Sequence, residues 1–161
     1  MKGKIRRQGN GKSIQSLKRK ASRGPTKVLV PLDGSSNSFR GLKHAIKNAK
    51  MKNQKIIGLY VVQPVMEFAH VSMSGLMDLL RKDGKKTLKK AQQQCESKNV
   101  QFTPKILSGS PGEKFFKFVK KNDIDEIVIG CSNKGKLART FFGSTANYII
   151  HQTSIPTTVI K

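Results

Sequence analysis

The sequence predicts an α/β protein built on a doubly wound, five-stranded parallel sheet with helices on both faces. Three observations carry this expectation. Short apolar runs alternate with segments of helical periodicity through residues 27–161, in the order β-α-β-α-β-α-β-α-β. The runs are continuously apolar, as expected of strands covered on both sides. The two most ligand-like turns, Pro31-Leu32-Asp33-Gly34 and the segment from Gly130 onward, follow the first and fourth strands. Doubly wound sheets bind ligands beyond the carboxyl ends of their strands, where the strand order reverses. If strands one and four are neighbours, the two turns face each other across one crevice.

Each element has its own justification. Residues 1–26 hold nine Lys/Arg, no acid and five glycines or prolines, which predicts a disordered basic arm. The arm is either a solubilising tail or an electrostatic arm for nucleic acid. Lys27 to Leu32 forms a first strand, and Ser35 or Ser36 caps a helix. On that helix Phe39, Leu42, Ile46 and Ala49 recur at helical spacing while Arg40, Lys43, Lys47 and Lys50 face out. A second strand runs from Lys55 to Val62, interrupted only by Gly58, and Gln63 to Ser72 is a connecting loop. A long helix from about Ser74 to Lys98 turns Leu76, Leu80, Leu88, Ala91 and Cys95 inward. The third strand, Gln101 to Leu107, contains Pro104, which predicts an edge position. Ser110-Pro111-Gly112-Glu113 has the form of a capping box with proline at the first helical position, and the helix it opens presents Phe115, Phe116 and Val119. A fourth strand spans Glu126 to Gly130. A fourth helix carries Ala146, Ile149 and Ile150, and a last strand runs from Ile155 to Ile160.

The 161 residues amount to one domain with room for a core. The formal charge is +23, of which +14 falls on residues 27–161. Such a surface attracts phosphate-rich partners, whether nucleotides, nucleic acid or anionic membrane, and composition does not choose among them. Two cysteines without CxxC spacing argue against a disulfide framework or a zinc site and suit a reducing cytosol, so the expected location is cytoplasmic. No apolar run approaches the ~18 residues of a membrane span. Ile5, Ile14 and Leu17 do not form the stripe of an import signal.

The richest stretch is Ile127 to Tyr148, where a buried strand, a glycine-containing polar loop and the helix opened by Gly143-Ser144-Thr145 follow in succession. That succession suits an anion, because free N–H groups at a helix start offer donors and partial positive charge. Gly130 to Lys136 fits most of a Walker A spacing, but the next position is Leu137, so the hydroxyl that would hold magnesium is missing. The dinucleotide fingerprint G-x-G-x-x-G is absent after the first strand. His44, His70 and His151 share no ligand spacing with one another or with the cysteines, and no nucleophile–base–acid set is suggested. Cys131 is either a plain small loop residue or a thiol activated by the cations beside it.

At Val30-Pro31-Leu32-Asp33-Gly34-Ser35, with Gly130-x-x-Asn133, nine residues, then Gly143-Ser144, residues 27–161 resemble the universal stress protein domain. The Ile155-Pro156-Thr157-Thr158-Val159-Ile160 ending belongs to the same resemblance. It implies an adenine nucleotide alpha hydrolase-like sheet of strand order 3-2-1-4-5. It also implies ATP or another adenine nucleotide as ligand, with or without Mg²⁺, in a stress-response or regulatory module. By the same resemblance, Pro31 and Asp33 line the nucleoside side, Ile56 contacts the adenine, and Ile129 and Gly130 border the ribose and first phosphates. Asn133, Gly143, Ser144 and Thr145 reach the phosphates. The family's second glycine is replaced here by Asn133. Asparagine is the least costly substitute where positive φ is needed, whereas a phosphate lying against the α-carbon would meet its side chain. Lys134, Lys136 and Arg139 add charge beside the loop.

No general base or nucleophile for hydrolysis is apparent, so the chain is expected to be non-catalytic or at most a weak ATPase. Gly130→Val is expected to remove nucleotide binding with little change in fold. The resemblance further implies a homodimer through the C-terminal strand. Two other readings stand beside it: a nucleic-acid-binding dimer that uses the basic arm, and a structural dimer with no nucleotide.

Overall fold

The computed structural model describes residues 24–64, 73–131 and 144–161. The arm through residue 23, most of the loop at 65–72 with His70, and the loop at 132–143 lie outside these residues. Strands β1 (Lys27–Pro31), β2 (Lys55–Val62), β3 (Phe102–Ser108), β4 (Glu126–Gly130) and β5 (Thr157–Ile160) alternate with helices α1 (Ser36–Lys52), α2 (Met73–Glu96), α3 (Pro111–Lys121) and α4 (Ser144–Gln152). All strand pairs are parallel, in the order β3-β2-β1-β4-β5. The β1 and β4 ends are therefore adjacent, as the crevice requires. Pro104 does lie on an edge strand, β3.

Strand side chains alternate between two cores. Val28, Val30 and Ile56 point to the face covered by Leu42, Ala45, Ile46 and Ala49 of α1 and by Leu88, Ala91 and Cys95 of α2. Leu29, Ile57, Leu59, Ile127 and Ile129 point to the opposite face, under Phe115 and Val119 of α3 and Ala146 and Ile149 of α4. Burying each of the large aliphatic side chains contributes roughly 1.5–3 kcal/mol, so the sheet is anchored from both sides. β1 is tied at its start to the α3–β4 turn: the Lys27 N–H donates to Asp125 Oδ2 at 2.8 Å, and the Asp125 N–H donates back to the Lys27 carbonyl at 3.0 Å.

Of the two capping candidates Ser35 and Ser36, Ser35 caps α1, its hydroxyl accepting from the Ser38 N–H at 3.2 Å. Two local expectations are corrected. The capping box at α3 does not close: Ser110 occupies the N-cap position with Pro111 behind it, but its side chain makes no capping bond. Glu113 instead accepts from Lys117 one turn on, so the carboxylate is drawn along the helix rather than back to its start. Arg40 does not simply face out. Its guanidinium donates to the Cys131 carbonyl at 3.3 Å and to Asn37 Oδ1 at 3.1 Å.

Candidate functional site

At the carboxyl ends of β1, β2 and β4 lies a cavity of about 290 Å³. β1 supplies Pro31, followed by Leu32 and Asp33 in the turn; β4 supplies Ile129 and Gly130; β2 supplies Val61. Ser38 of α1, Pro111 and Phe115 of α3, and Thr145, Ala146 and Ile149 of α4 complete the wall. The volume is at the small end of ligand pockets, about 300 Å³ upward. The lining is divided: a mostly apolar floor, one carboxylate at the rim, and the first turn of α4 at one side.

The carboxylate is held in place by the local sequence. The Ser35 N–H donates to Asp33 Oδ1 at 2.9 Å, closing a turn of the type aspartate forms with the residue two positions on. Gly34 between them has φ +85°, a conformation that favours glycine. Burial alone would push the Asp33 carboxyl up, but hydrogen bonds from Ser35 and Ser38 outweigh it and hold the group below its ordinary range. Asp33 is thus a fixed anion, exposed toward the cavity mouth. On its other side burial raises the Tyr60 phenol, reinforced by the carboxylates of Asp83 and Asp33.

Gly130 has a different role from the one its motif suggests. A Cβ there would lie 1.7 Å from the Asn37 carbonyl oxygen, and one on Gly41 would lie 2.7 Å from the Gly130 nitrogen. The two glycines let α1 press its backbone onto the end of β4. The expectation that Gly130→Val leaves the fold unchanged is therefore overturned, because the side chain would collide with main chain rather than with a ligand. The segment beyond Gly130 is further tied by the Cys131 N–H, which donates to the Ile160 carbonyl at 2.7 Å, and by Arg40 on the Cys131 carbonyl. Cys131 itself is buried, and burial pushes its thiol up despite Lys161 nearby. Burial thus works against an activated thiolate there.

The structure brings Pro31, Asp33, Ile129, Gly130 and Thr145 to one cavity. Ser144 opens α4 beside them, while Asn133 and Gly143, with Lys134, Lys136 and Arg139, lie outside the described residues. Ile56 is not brought there. It pairs with Val28 near the start of the strands and is wholly buried in the α1/α2 core. The β2 residue at the cavity is Val61, which sequence reasoning missed. The signal was available in the parallel register: Pro31 pairs with Leu59, so only residues past Leu59 reach the ends where the cavity forms. Pro111 and Phe115 were missed as well, having been assigned to a cap and a core stripe. Among the described residues no group of His, Cys, Asp and Glu could hold a metal ion, and no helix is long and apolar enough to cross a membrane.

Comparison with known proteins places the fold in a family. The profile described as the universal stress protein family matches residues 25–161. A universal stress protein of Methanocaldococcus jannaschii is 32% identical over 139 residues, covering 84% of this chain and 81% of the relative. The structure of UspA from Lactobacillus plantarum superposes with a TM-score of 0.74 at 23% identity, covering 86% of this chain and all (100%) of that one. An Arabidopsis thaliana family structure with AMP bound superposes at 0.66 with 18% identity, covering 85% and 92%. With the profile spanning nearly everything after the basic arm, the chain belongs to the universal stress protein family.

Proposed function

We propose that this protein binds an adenine nucleotide in the cavity between the β1 and β4 ends and acts as a nucleotide-responsive regulatory module. The observation that carries this reading is the split lining of that cavity: an apolar floor, an oriented carboxylate and a helix N-terminal turn converge on one space of nucleoside size. Pro31, Val61 and Ile129 would receive the flat apolar base. Asp33 would accept hydrogen bonds from the adenine amine or the ribose hydroxyls, as a group that stays ionised and cannot donate. The start of α4, at Ser144 and Thr145, would face the phosphates with free N–H groups, joined by Gly143 and Asn133 from the preceding loop. The family structure solved with AMP supports the choice of an adenine ligand.

Binding rather than turnover is the proposed activity, with Asp33 in a positioning role. β5 is an edge strand of the sheet, which supports pairing with a second copy. Titration calorimetry of the full chain with ATP, AMP, adenosine and GTP, each with and without Mg²⁺, tests the reading. Adenine nucleotides should bind in the micromolar range and GTP at least tenfold more weakly, and Asp33→Ala should cost a further tenfold or more for all adenine ligands. Absence of heat with both ATP and AMP at millimolar ligand would overturn it.

A further inference from the structure

Helices α1 and α2 share one face of the sheet and lie side by side, with Lys90 of α2 placed over the Phe39 ring of α1 at 4.9 Å. Between them they carry most of the Lys/Arg found in helices among the described residues. α1 carries five Lys/Arg and no acid, and α2 carries six Lys/Arg against three acids. α3 on the opposite face has four lysines and one glutamate, and that glutamate is paired with Lys117. Among the described residues, no cation of α1 or α2 is ion-paired. Lys43, Lys47 and Lys50 form an exposed i, i+4, i+7 row on α1, and Lys82, Lys86 and Lys89 form a second exposed row on α2. At about 1.5 Å per residue each row is about 10 Å long. Both rows lie on the one helical layer that covers this face of the sheet.

We infer that the α1/α2 layer is a binding surface for the sugar-phosphate backbone of double-stranded nucleic acid, independent of residues 1–26 and of the cavity. Two exposed rows of lysines, without ion pairs among the described residues and offset only in part by Asp78 and Asp83 on α2, concentrate positive potential on this layer, and a polyphosphate supplies the complementary charge by displacing its own counterions. Lysine makes point-charge contacts rather than reading base edges, so the binding is indifferent to sequence. A lipid surface fits less well, because membrane-docking helices interleave their cations with apolar anchors. The large exposed apolar residues on this layer, Met51 and Leu79, lie at the end of α1 and near the start of α2. Both helices run back against the strands, which puts those two residues at opposite ends of the layer with the lysines between.

The test is fluorescence anisotropy of the full chain with a short mixed-sequence DNA duplex across a salt series. Lys43→Gln/Lys47→Gln/Lys50→Gln should lower the slope of log affinity against log salt by about 2.7, at about 0.9 for each phosphate left without its lysine. The triple Lys→Arg version should keep it. Lys82→Gln/Lys86→Gln/Lys89→Gln should reproduce the drop, which guards against local damage in α1. Lys114→Gln/Lys120→Gln/Lys121→Gln on α3 is the control and should leave the slope within about 1 of wild type. An unchanged slope in both test triples would assign the affinity to the arm and overturn the proposal. An equal drop in the α3 control would reduce it to general basicity. Binding to phosphatidylserine vesicles without binding to the duplex would also overturn it. Nucleotide titration of the same triples should be unaltered, so failure of this surface and failure of the cavity reading are separately visible.

Discussion

At Gly130 the residue type is required by a neighbour in the fold, and the distances show which neighbour. The Asn37 carbonyl oxygen occupies the space a Cβ would need, at 1.7 Å, and Gly41 answers from the other side. Gly130→Ala should therefore destabilise the protein by about 2–3 kcal/mol through forced displacement of α1 from β4, seen as a lower midpoint in urea. Gly34→Ala, strained by its positive φ, should cost about 1 kcal/mol. Loss of nucleotide binding in Gly130 variants would thus report a shifted helix, which makes Asp33 the sounder probe of the cavity. Asp33 also has a pH signature. Its carboxyl is held below the ordinary 3.8, so its contribution to stability is complete above that value and is lost as pH falls through the lower folded-state value. The stability difference between wild type and Asp33→Ala should accordingly shrink in acid denaturation below about pH 4 and be flat above about pH 5. The motif residues were legible in the sequence, but the reason for Gly130 was not, because it depends on an element ninety positions away.

At the scale of elements, the alternation of strands and helices could be read throughout the described residues, and β2 and β4 match the expected bounds. Continuous apolar runs bounded by turn residues leave little choice of strand position. Helix starts were harder. Ser35 and Ser110 both sit where a capping serine belongs, yet only Ser35 makes the bond. At α3, Lys117 competes for Glu113 and proline at the first position already fixes the backbone, so the hydroxyl has less to satisfy. Ser35→Ala should cost about 1 kcal/mol and Ser110→Ala less than about 0.5 kcal/mol, measured by urea unfolding under identical conditions. Register was the other hidden quantity. Ile56 and Val61 are both apolar β2 residues, and nothing local separates them. Only the offset between β1 and β2, set when the strands pair, decides that Val61 reaches the cavity and Ile56 does not. Arg40 likewise shows helical spacing typical of a solvent-facing cation but turns to the Cys131 carbonyl, a partner supplied by topology.

At the scale of the whole molecule, the charge and the core are arranged on different principles. The core is symmetric about the sheet, whereas the cations favour the α1/α2 layer, and both patterns follow from one sequence because strand residues alternate faces while helix surfaces do not. The symmetry of the core also leaves one thiol on each side: Cys95 lies in the α1/α2 cluster and Cys131 in the α3/α4 cluster, both buried. Burial pushes Cys95 up to about 12, with the Glu96 carboxylate adding to the effect, and raises Cys131 as well. Neither should be alkylated at neutral pH until its own layer opens. The pair therefore forms a natural two-channel clock for local opening. In a pulsed-iodoacetamide time course read by peptide mass, equal labelling rates mean that both faces of the sheet come apart in one step. Faster labelling of Cys131 would mean that the α3/α4 side breathes while the α1/α2 side stays shut.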